Sequence, residues 1–423
     1  MNDTNQRPEA QVEAVEFRRS PRTLVVLIPL CIVMVSPAHA AEGLTLEGAL
    51  ELARRQAPAA ARIRAEVEEA RARIRGASVL LDSNPVLEVS AGPRWSPEGR
   101  RVDLGVGLMQ DLELGRRGPR LRSARSEFAG AQASAEAAMM EHLRQTAIAF
   151  LEALHAERSL GLSIASESLG EALVRITSER RDDGSATELD VHRARMELAR
   201  SQAEVHSARV TRERSLSNLR VLLGLPFDAG LSVTGTLDTP RREALDVLLR
   251  RAMDHPELAE LEALVQAADA EKKLAEVHRW PGLGIGIGYT READEQFAQA
   301  TLAFTLPVLN HGQGARAEAH ARGHRLRAEL QSLRRAIAVR VRSAFVVLGL
   351  CLDAVATFED EVLDTLEGIQ LRTQRAYRAG ELSLTDVLTL RREVLETRQS
   401  HLDRQLEAAL AAVELEAVSG GLR

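Results

Sequence analysis

A chain of 423 residues with 61 acidic and 55 basic side chains has a formal net charge of −6, so it lacks the single-sign positive field that nucleic acid rewards. Two cysteines, Cys31 and Cys351, can build neither a disulfide framework nor a four-thiolate zinc site. Aromatics make up only 3% of the residues, so an Ala/Leu/Glu/Arg-rich chain of this kind predicts long helices and coiled coil rather than a compact aromatic core.

Residues 24–35, LVVLIPLCIVMV, follow Arg18, Arg19 and Arg22 and precede Ala38-His39-Ala40. A basic region, a short apolar stretch and a small-x-small site describe a secretory signal peptide over 1–40, with cleavage after Ala40. The apolar stretch is too short for a spanning helix, which needs about 20 residues. Cys31 follows Leu30, where a lipoprotein signal wants a small residue. The segment predicts an envelope compartment. Cys351, the cysteine left after cleavage, lies in an apolar helical run and is expected to be a buried, inert thiol.

The remaining chain contains itself twice. Aligning Asn84-Pro85-Val86-Leu87 with Trp280-Pro281-Gly282-Leu283 sets an offset of 196, and the same offset carries Gly118 onto Gly314, Gly184 onto Gly380, Asp190 onto Asp386 and Gly224 onto Gly420. Ala57-Pro58 matches His255-Pro256 at an offset of 198. A register kept this long marks a tandem duplication. The first repeat is expected over 41–225 and the second over 242–423, joined by a Pro/Gly/Thr-rich linker over 226–241.

Each repeat opens with a predicted helix, 45–80 and 243–278. Two segments of period-two alternation follow in each. In the first repeat they are 86–95 and 102–112, where Val102, Leu104, Val106 and Leu108 alternate with Asp103, Gly105 and Gly107. In the second they are 283–289 and 300–306, where Leu283, Ile285, Ile287 and Tyr289 alternate with glycines. The loop Ser96-Pro97-Glu98-Gly99-Arg100 and the charged stretch after Tyr289 read as hairpin tips. No proline occurs between Pro119 and Pro226 or after Pro307, which permits helix throughout. The run from Pro119 to Arg181 predicts one helix of roughly 90–95 Å. Glycines interrupt at Gly184 and Gly380, and return helices are expected over 186–222 and 382–418. In the last, Leu388, Leu395, Leu402 and Ala409 recur every seven residues, joined by Leu406 and Val413, as in a coiled-coil seam.

Only helices and closed barrels satisfy every backbone polar group in lipid. Four strands near the roughly 9–11 residues of an outer-membrane strand cannot close a barrel alone, since about eight are needed, so the barrel has to be shared between subunits. Trp95, Trp280 and Tyr289 are candidate interfacial aromatics. Strands of this composition also allow a small soluble sheet.

Several motifs then converge. Asp183-Gly184-Ser185-Ala186-Thr187-Glu188-Leu189-Asp190-Val191 and Tyr377-Arg378-Ala379-Gly380-Glu381-Leu382-Ser383-Leu384-Thr385-Asp386-Val387-Leu388 each follow a long helix and open a return helix. Leu222-Leu223-Gly224-Leu225-Pro226 ends the first repeat, and Thr305-Leu306-Pro307-Val308-Leu309-Asn310 crosses from strand to helix. In this order, over essentially all of 44–423, these stretches resemble the TolC family of outer-membrane efflux proteins. Gln110-Asp111-Leu112-Glu113-Leu114-Gly115-Arg116-Arg117-Gly118-Pro119-Arg120 is similar to the CzcC-like branch that serves heavy-metal resistance.

The resemblance implies a mainly α chain in which long antiparallel coiled-coil helices accompany four transmembrane β-strands. It implies a homotrimer with a shared twelve-stranded barrel in outer-membrane lipid and an α-helical tunnel in the periplasm. A periplasmic adaptor and an inner-membrane resistance-nodulation-division pump are the implied partners; nucleic acid is not. Asp190 and Asp386 fall where family members narrow the pore, and six carboxylates near one axis attract cations. Both also open a return helix, where a first-turn carboxylate is favoured by the helix dipole, and either reading accounts for them. Tyr377 takes the position of a gate tyrosine. The arginine that bonds across the family's closed gate corresponds to Leu382 and a further aspartate to Thr389, so the latch differs. Gly184, Ser185, Gly380, Glu381 and Leu384 are the implied adaptor contacts.

His320 and His324 have metal-compatible spacing on a predicted helix, with His311 nearby, but no carboxylate or cysteine completes a set and they read as solvated surface histidines. Glu66, Glu68 and Glu69 beside Arg71, Arg73 and Arg75 predict a salt-bridged helix face. Gly284, Gly286 and Gly288 mimic part of a phosphate loop without its lysine. No nucleophile stands with a base, so neither an enzyme nor a cofactor is expected. The expected function is a passive efflux duct for heavy-metal cations; the alternatives are the same duct for drugs or secreted proteins, or a soluble periplasmic scaffold.

Overall fold

The computed structural model describes residues 43–422 except 98, 113, 238–242, 293–294 and 360–362. The expected signal peptide, with Cys31, lies outside the described residues, as do Glu98 and Glu113. The described chain opens with α1 (Leu46–Gln56), capped by Thr45, whose hydroxyl accepts from the Gly48 N–H at 3.2 Å. Next come α2 (Pro58–Ser78), the strands β1 (Val86–Ser96) and β2 (Gly99–Leu112), and the helices α3 (Arg117–Asp182) and α4 (Glu188–Leu223). The second half runs through α5 (Leu245–Arg251), a 3-10 turn Ala252–Asp254, α6 (Pro256–Val277), β3 (Gly282–Glu292) and β4 (Glu295–Thr305). It ends with α7 (Gln313–Glu359), α8 (Leu363–Ala379) and α9 (Leu384–Val418). At 1.5 Å per residue the 66 residues of α3 span about 100 Å.

The single opening helix expected in each half is divided. Ala57 is extended and Pro58 starts α2; His255 is extended and Pro256 starts α6. Proline lacks an N–H and its ring crowds the preceding turn, yet neither matters at a first helical position. The strands run longer than alternation predicts, because their ends carry Arg, Ser and Glu rather than apolar residues. β1 and β3, β2 and β4, α3 and α7, and α4 and α9 each begin 196 positions apart.

The four strands form one antiparallel sheet in the order β1-β2-β3-β4, so the central pairing of β2 with β3 joins the two halves. The helices pack into an alanine-rich bundle. Leu143, Phe150 and Leu154 of α3, Leu216 and Leu219 of α4, and Leu402 and Ala409 of α9 share one core with Ala49 and Ala53 of α1. Leu406 and Val413 pack against it, so the heptad seam of α9 faces α3. A second core joins Leu248, Leu258, Ile337, Val341 and Leu415. Polar rungs fix the register of α9 along α3. His155 Nε2 lies 2.7 Å from Asp403 Oδ1, Gln399 donates to Asp403 at 2.9 Å, and Ser159 donates to Gln399 at 3.1 Å.

The linker is no loose tether. Val233 and Leu237 are buried in the first core, and Leu44 makes a parallel bridge with Val233, sealed by Leu44 N–H to Ser232 O at 2.8 Å. On α2 two of the expected ion pairs form, Arg73–Glu69 (2.7 Å) and Arg71–Glu68 (3.4 Å), while Glu66 pairs with Arg62 (3.7 Å) instead. Cys351 is half-buried rather than buried, because it lies on a flank of α7; burial and then Glu407 push its thiol up, so it is protonated at neutral pH. No helix among the described residues is long and apolar enough to cross a membrane.

Candidate channel wall and periplasmic tip

Strand register sorts the side chains of the sheet into two opposed faces. Residues opposite one another in an antiparallel pair share a face. Leu87 faces Leu108, Val89 faces Val106, Val106 faces Tyr289, Leu108 faces Ile287, and Ile285 faces Leu302. The middle of one face is therefore apolar, with Gln110, Arg100, Arg291 and Gln296 toward its ends, and it is uncovered: Val89 is 70% exposed, Ile287 68% and Leu302 66%. A contiguous apolar face of this kind is costly in water and suited to lipid. Trp95 near the β1–β2 hairpin and Trp280 just before β3 mark opposite ends of the sheet, as an aromatic belt requires, and the Arg100 guanidinium lies 5.9 Å from the centre of the Trp95 ring.

The other face is mostly polar or small, with Val86, Met109 and Phe297 as its large apolar residues. Glu88, Ser90, Arg94, Asp103, Asp111, Thr290, Glu292 and Thr301 occupy it between the glycines of β2 and β3. Arg94 on β1 donates to Asp103 on β2 at 2.8 Å and also to Glu292 on β3, so one guanidinium ties three strands.

At the far end of the helices, two turns reverse the chain. Gly184 has φ +72° and Gly380 φ +81°, a region only glycine enters without strain. Ser185 N–H reaches Arg180 O at 2.7 Å and Glu381 N–H reaches Ala376 O at 2.9 Å, which satisfies the last carbonyls of α3 and α8. The return helices start with matched capping boxes. Thr187 Oγ1 accepts from Asp190 N–H at 3.1 Å while Asp190 Oδ2 accepts from Thr187 N–H at 3.0 Å; Ser383 and Asp386 repeat this at 3.2 and 3.3 Å. One oxygen of each aspartate is thus held by its own helix start. The Thr187 hydroxyl, then the Thr187 backbone, holds the Asp190 carboxyl below the usual range.

Tyr377 is buried at 2% exposure between α8 and α3. Its hydroxyl lies 3.0 Å from Thr177 Oγ1, and Thr177 in turn donates to Leu173 O at 2.8 Å. Arg180 closes the arrangement. It donates to Tyr377 O at 2.7 Å and to Ser185 O at 3.2 Å, and its guanidinium lies 4.7 Å from the centre of the Tyr377 ring. The sequence pattern does not reveal Arg180; the one signal was that the duplicate position is Ala376. Gly184, Ser185, Gly380 and Glu381 are exposed on the turns. Leu384 is not: it is buried with Leu173, Ile176, Tyr377 and Val387, so it supports the second turn from beneath. Leu382 lies half-buried against the same cluster.

Behind the tip a cavity of about 90 Å³ lies between α3, α8 and α9, lined by Leu169, Leu173, Ile176, Tyr377, Leu390 and Arg391. Arg391 crosses from α9 to bond Ser166 Oγ of α3 at 2.9 Å and Ser201 Oγ of α4 at 3.0 Å, and burial pushes its guanidinium below the usual arginine range. Among the described residues no group of three metal-ligating side chains comes together.

A sheet with one lipid-compatible and one polar face, continued by long helices of which α3 spans about 100 Å, marks a component of an outer-membrane channel. The chain matches the family described as outer membrane efflux protein over residues 49–225 and 250–421, and it belongs to that family. It is 24% identical over 393 residues to the cobalt-zinc-cadmium resistance protein CzcC of Cupriavidus metallidurans, covering 92% of this chain and 93% of the relative. It is 26% identical over 288 residues to the pyoverdine export outer membrane protein OpmQ of Pseudomonas putida, covering 64% and 60%. Among solved structures, CusC aligns with a TM-score of 0.72 over 89% of this chain and 92% of that one, at 18% identity. The open-state outer membrane channel MtrE of Neisseria gonorrhoeae aligns with a TM-score of 0.73 over 89% of each chain, at 17% identity. The protein is a passive outer-membrane channel component whose helices extend into the periplasm, not an enzyme.

Proposed function

We propose that this chain is the outer duct of a tripartite efflux system, and that its cargo is heavy-metal cations. The two-faced sheet carries the reading. Its outer strands β1 and β4 leave backbone N–H and C=O groups that lipid cannot satisfy. Four strands cannot close, so copies must pair β4 of one with β1 of the next. Three copies make a twelve-stranded barrel above a helical tunnel. The tunnel takes its cargo from a periplasmic adaptor and an inner-membrane resistance-nodulation-division pump. Conduction itself requires no chemistry from the chain.

The chain is read as a signal peptide over 1–40, two repeats over 41–225 and 242–423, and a linker over 226–241. Asp190 and Asp386 ring the narrow end with the carboxylate oxygens their caps leave over, and Tyr377 holds the second hairpin against the first. Gly184, Ser185, Gly380 and Glu381 form the exposed surface that meets the adaptor, with Leu384 as the support below it. The cargo assignment rests on the likeness to CzcC over almost the whole chain and on the Gly115-Arg116-Arg117-Gly118 stretch. The likeness to OpmQ supports the second reading, an organic cargo through the same duct.

A deletion strain grown on zinc, cobalt, cadmium, nickel, copper and silver salts, beside antibiotics and detergents, decides between them. Hypersensitivity confined to some metals, and restored by the gene in trans, is the expected result. Sensitivity to drugs and detergents alone refutes the metal reading and keeps the duct. Recovery of the protein in the soluble fraction without detergent refutes the duct.

A further inference from the structure

One turn apart on α7, His320 and His324 bring their ring centroids to 4.5 Å at an interplanar angle of 66°. Both are exposed, on a flank of α7 distinct from the stripe of Ala319, Gly323 and Leu326 that is buried. Neither ring takes a hydrogen bond or an ion pair, so the nitrogens of both are uncommitted. Three of the nearby arginines are paired. Arg322 bonds both oxygens of Glu271 at 2.8 and 3.0 Å, Arg327 bonds both oxygens of Asp269 at 2.6 and 2.8 Å, and Arg325 bonds Glu329 at 2.7 Å. The charge of those three is offset by their partners, while Arg316, one turn before His320, takes no acidic partner among the described residues.

We propose that His320 and His324 form a two-imidazole chelate for a borderline divalent cation of the first transition series. Residues four apart on a helix stand about 5–6 Å apart at Cβ, and two imidazoles on that spacing converge on one ion. Imidazole selects copper, nickel, zinc and cobalt over magnesium or calcium, and the order of affinity runs cobalt below nickel below copper, with zinc also below copper. Two ligands are fewer than the four of a structural zinc site, so water fills the other positions and the ion exchanges readily. A weak, exchanging site suits a protein that passes cations on. That physiological meaning rests on the metal-cargo reading above; the coordination chemistry does not.

The test is equilibrium dialysis of the full chain in detergent against Cu²⁺, with H320A, H324A and the double variant. Both positions are exposed, so the variants keep the fold, as an unchanged elution volume verifies. The parent binds one more ion per chain than the double variant. Each single variant loses at least the roughly tenfold that removal of even an orienting partner costs at a metal site. Electron paramagnetic resonance of the Cu²⁺ complex shows two coordinated imidazole nitrogens in the parent and one in each single variant. An isotherm identical in parent and double variant overturns the proposal. The isotherm decides the site and the growth assay decides the cargo, so the failure of one leaves the other standing.

Discussion

If Arg180 is the fastener between the two hairpin tips, truncating it loosens one specific contact. In R180A the bond to Tyr377 O at 2.7 Å and the stacking on the Tyr377 ring at 4.7 Å are both lost. The bond to Ser185 O stays within the first turn and does not join the hairpins. A partly buried hydrogen bond from a charged donor is worth about 1.5 kcal/mol, at the low end because Arg180 is only half-buried. The cation–π contact adds about 0.5–1 kcal/mol. Together about 2–2.5 kcal/mol shifts a two-state tip equilibrium by roughly 30- to 70-fold toward the released form. The assay is single-channel recording of the purified protein in planar bilayers, comparing open probability of the parent, R180A and R180K. Lysine keeps the charge without the planar fork, so R180K falls between the two. An open probability in R180A equal to that of the parent, at unchanged thermal stability, would refute the fastener.

The other predictions rest on separate parts of the molecule. Gly224 has φ +67°, and a Cβ there would sit 2.4 Å from Pro58 Cδ, so G224A adds about 1–2 kcal/mol of backbone strain to about 1–3 kcal/mol of overpacking; limited proteolysis between α4 and α5 accelerates, and an unchanged rate rejects the account. The Asp190 carboxyl is held below its unfolded value of about 3.9, so its contribution is complete above that pH and is lost as acid passes the lower folded value; protection from amide exchange at the start of α4, relative to the free-peptide rate at the same pH, falls on acidification below about pH 4 in the parent but not in D190N. Glu88, Asp103, Asp111, Glu292 and Glu295 outnumber Arg94 and Arg101 on the polar face of the sheet, so the open barrel passes cations over anions. Neutralising Glu88, Asp111 and Glu295 together moves the reversal potential toward zero, and an anion-selective parent channel contradicts the assignment of that face to the lumen.

Period and punctuation made the elements legible. Alternation such as Leu283-x-Ile285-x-Ile287 locates a strand without any partner, because successive side chains point to opposite faces. The α9 heptad predicts a seam, and Leu402 and Ala409 lie in the core as it requires. The tips were legible for a similar reason: glycine followed by Ser or Thr and then Asp is a local code for reversal and recapping. Contacts between distant segments left no such trace. Arg180 meets Tyr377 across 197 residues and Arg391 meets Ser166 across 225, and in a chain this rich in arginine neither stands out. The burial of Val233 and Leu237 was hidden in the same way, since a Pro/Gly/Thr-rich composition reads as a tether whether or not it docks.

Duplication explains why the tip can fasten at all. The two hairpins share their turns and their capping boxes, with Thr187 and Asp190 standing opposite Ser383 and Asp386. Identical surfaces placed side by side would present like groups to one another. The clasp forms where the halves diverge: the duplicate of Arg180 is Ala376, and the duplicate of Tyr377 is Arg181. One repeat supplies the guanidinium and the other the ring and the carbonyl, so neither could make the contact with a copy of itself. Arg391 works by the same logic, because its duplicate position is Arg195 on α4, exposed and without the reach across to Ser166. The shared positions specify how each hairpin folds. The divergent ones specify how the hairpins hold one another, which is the property a gate has to control.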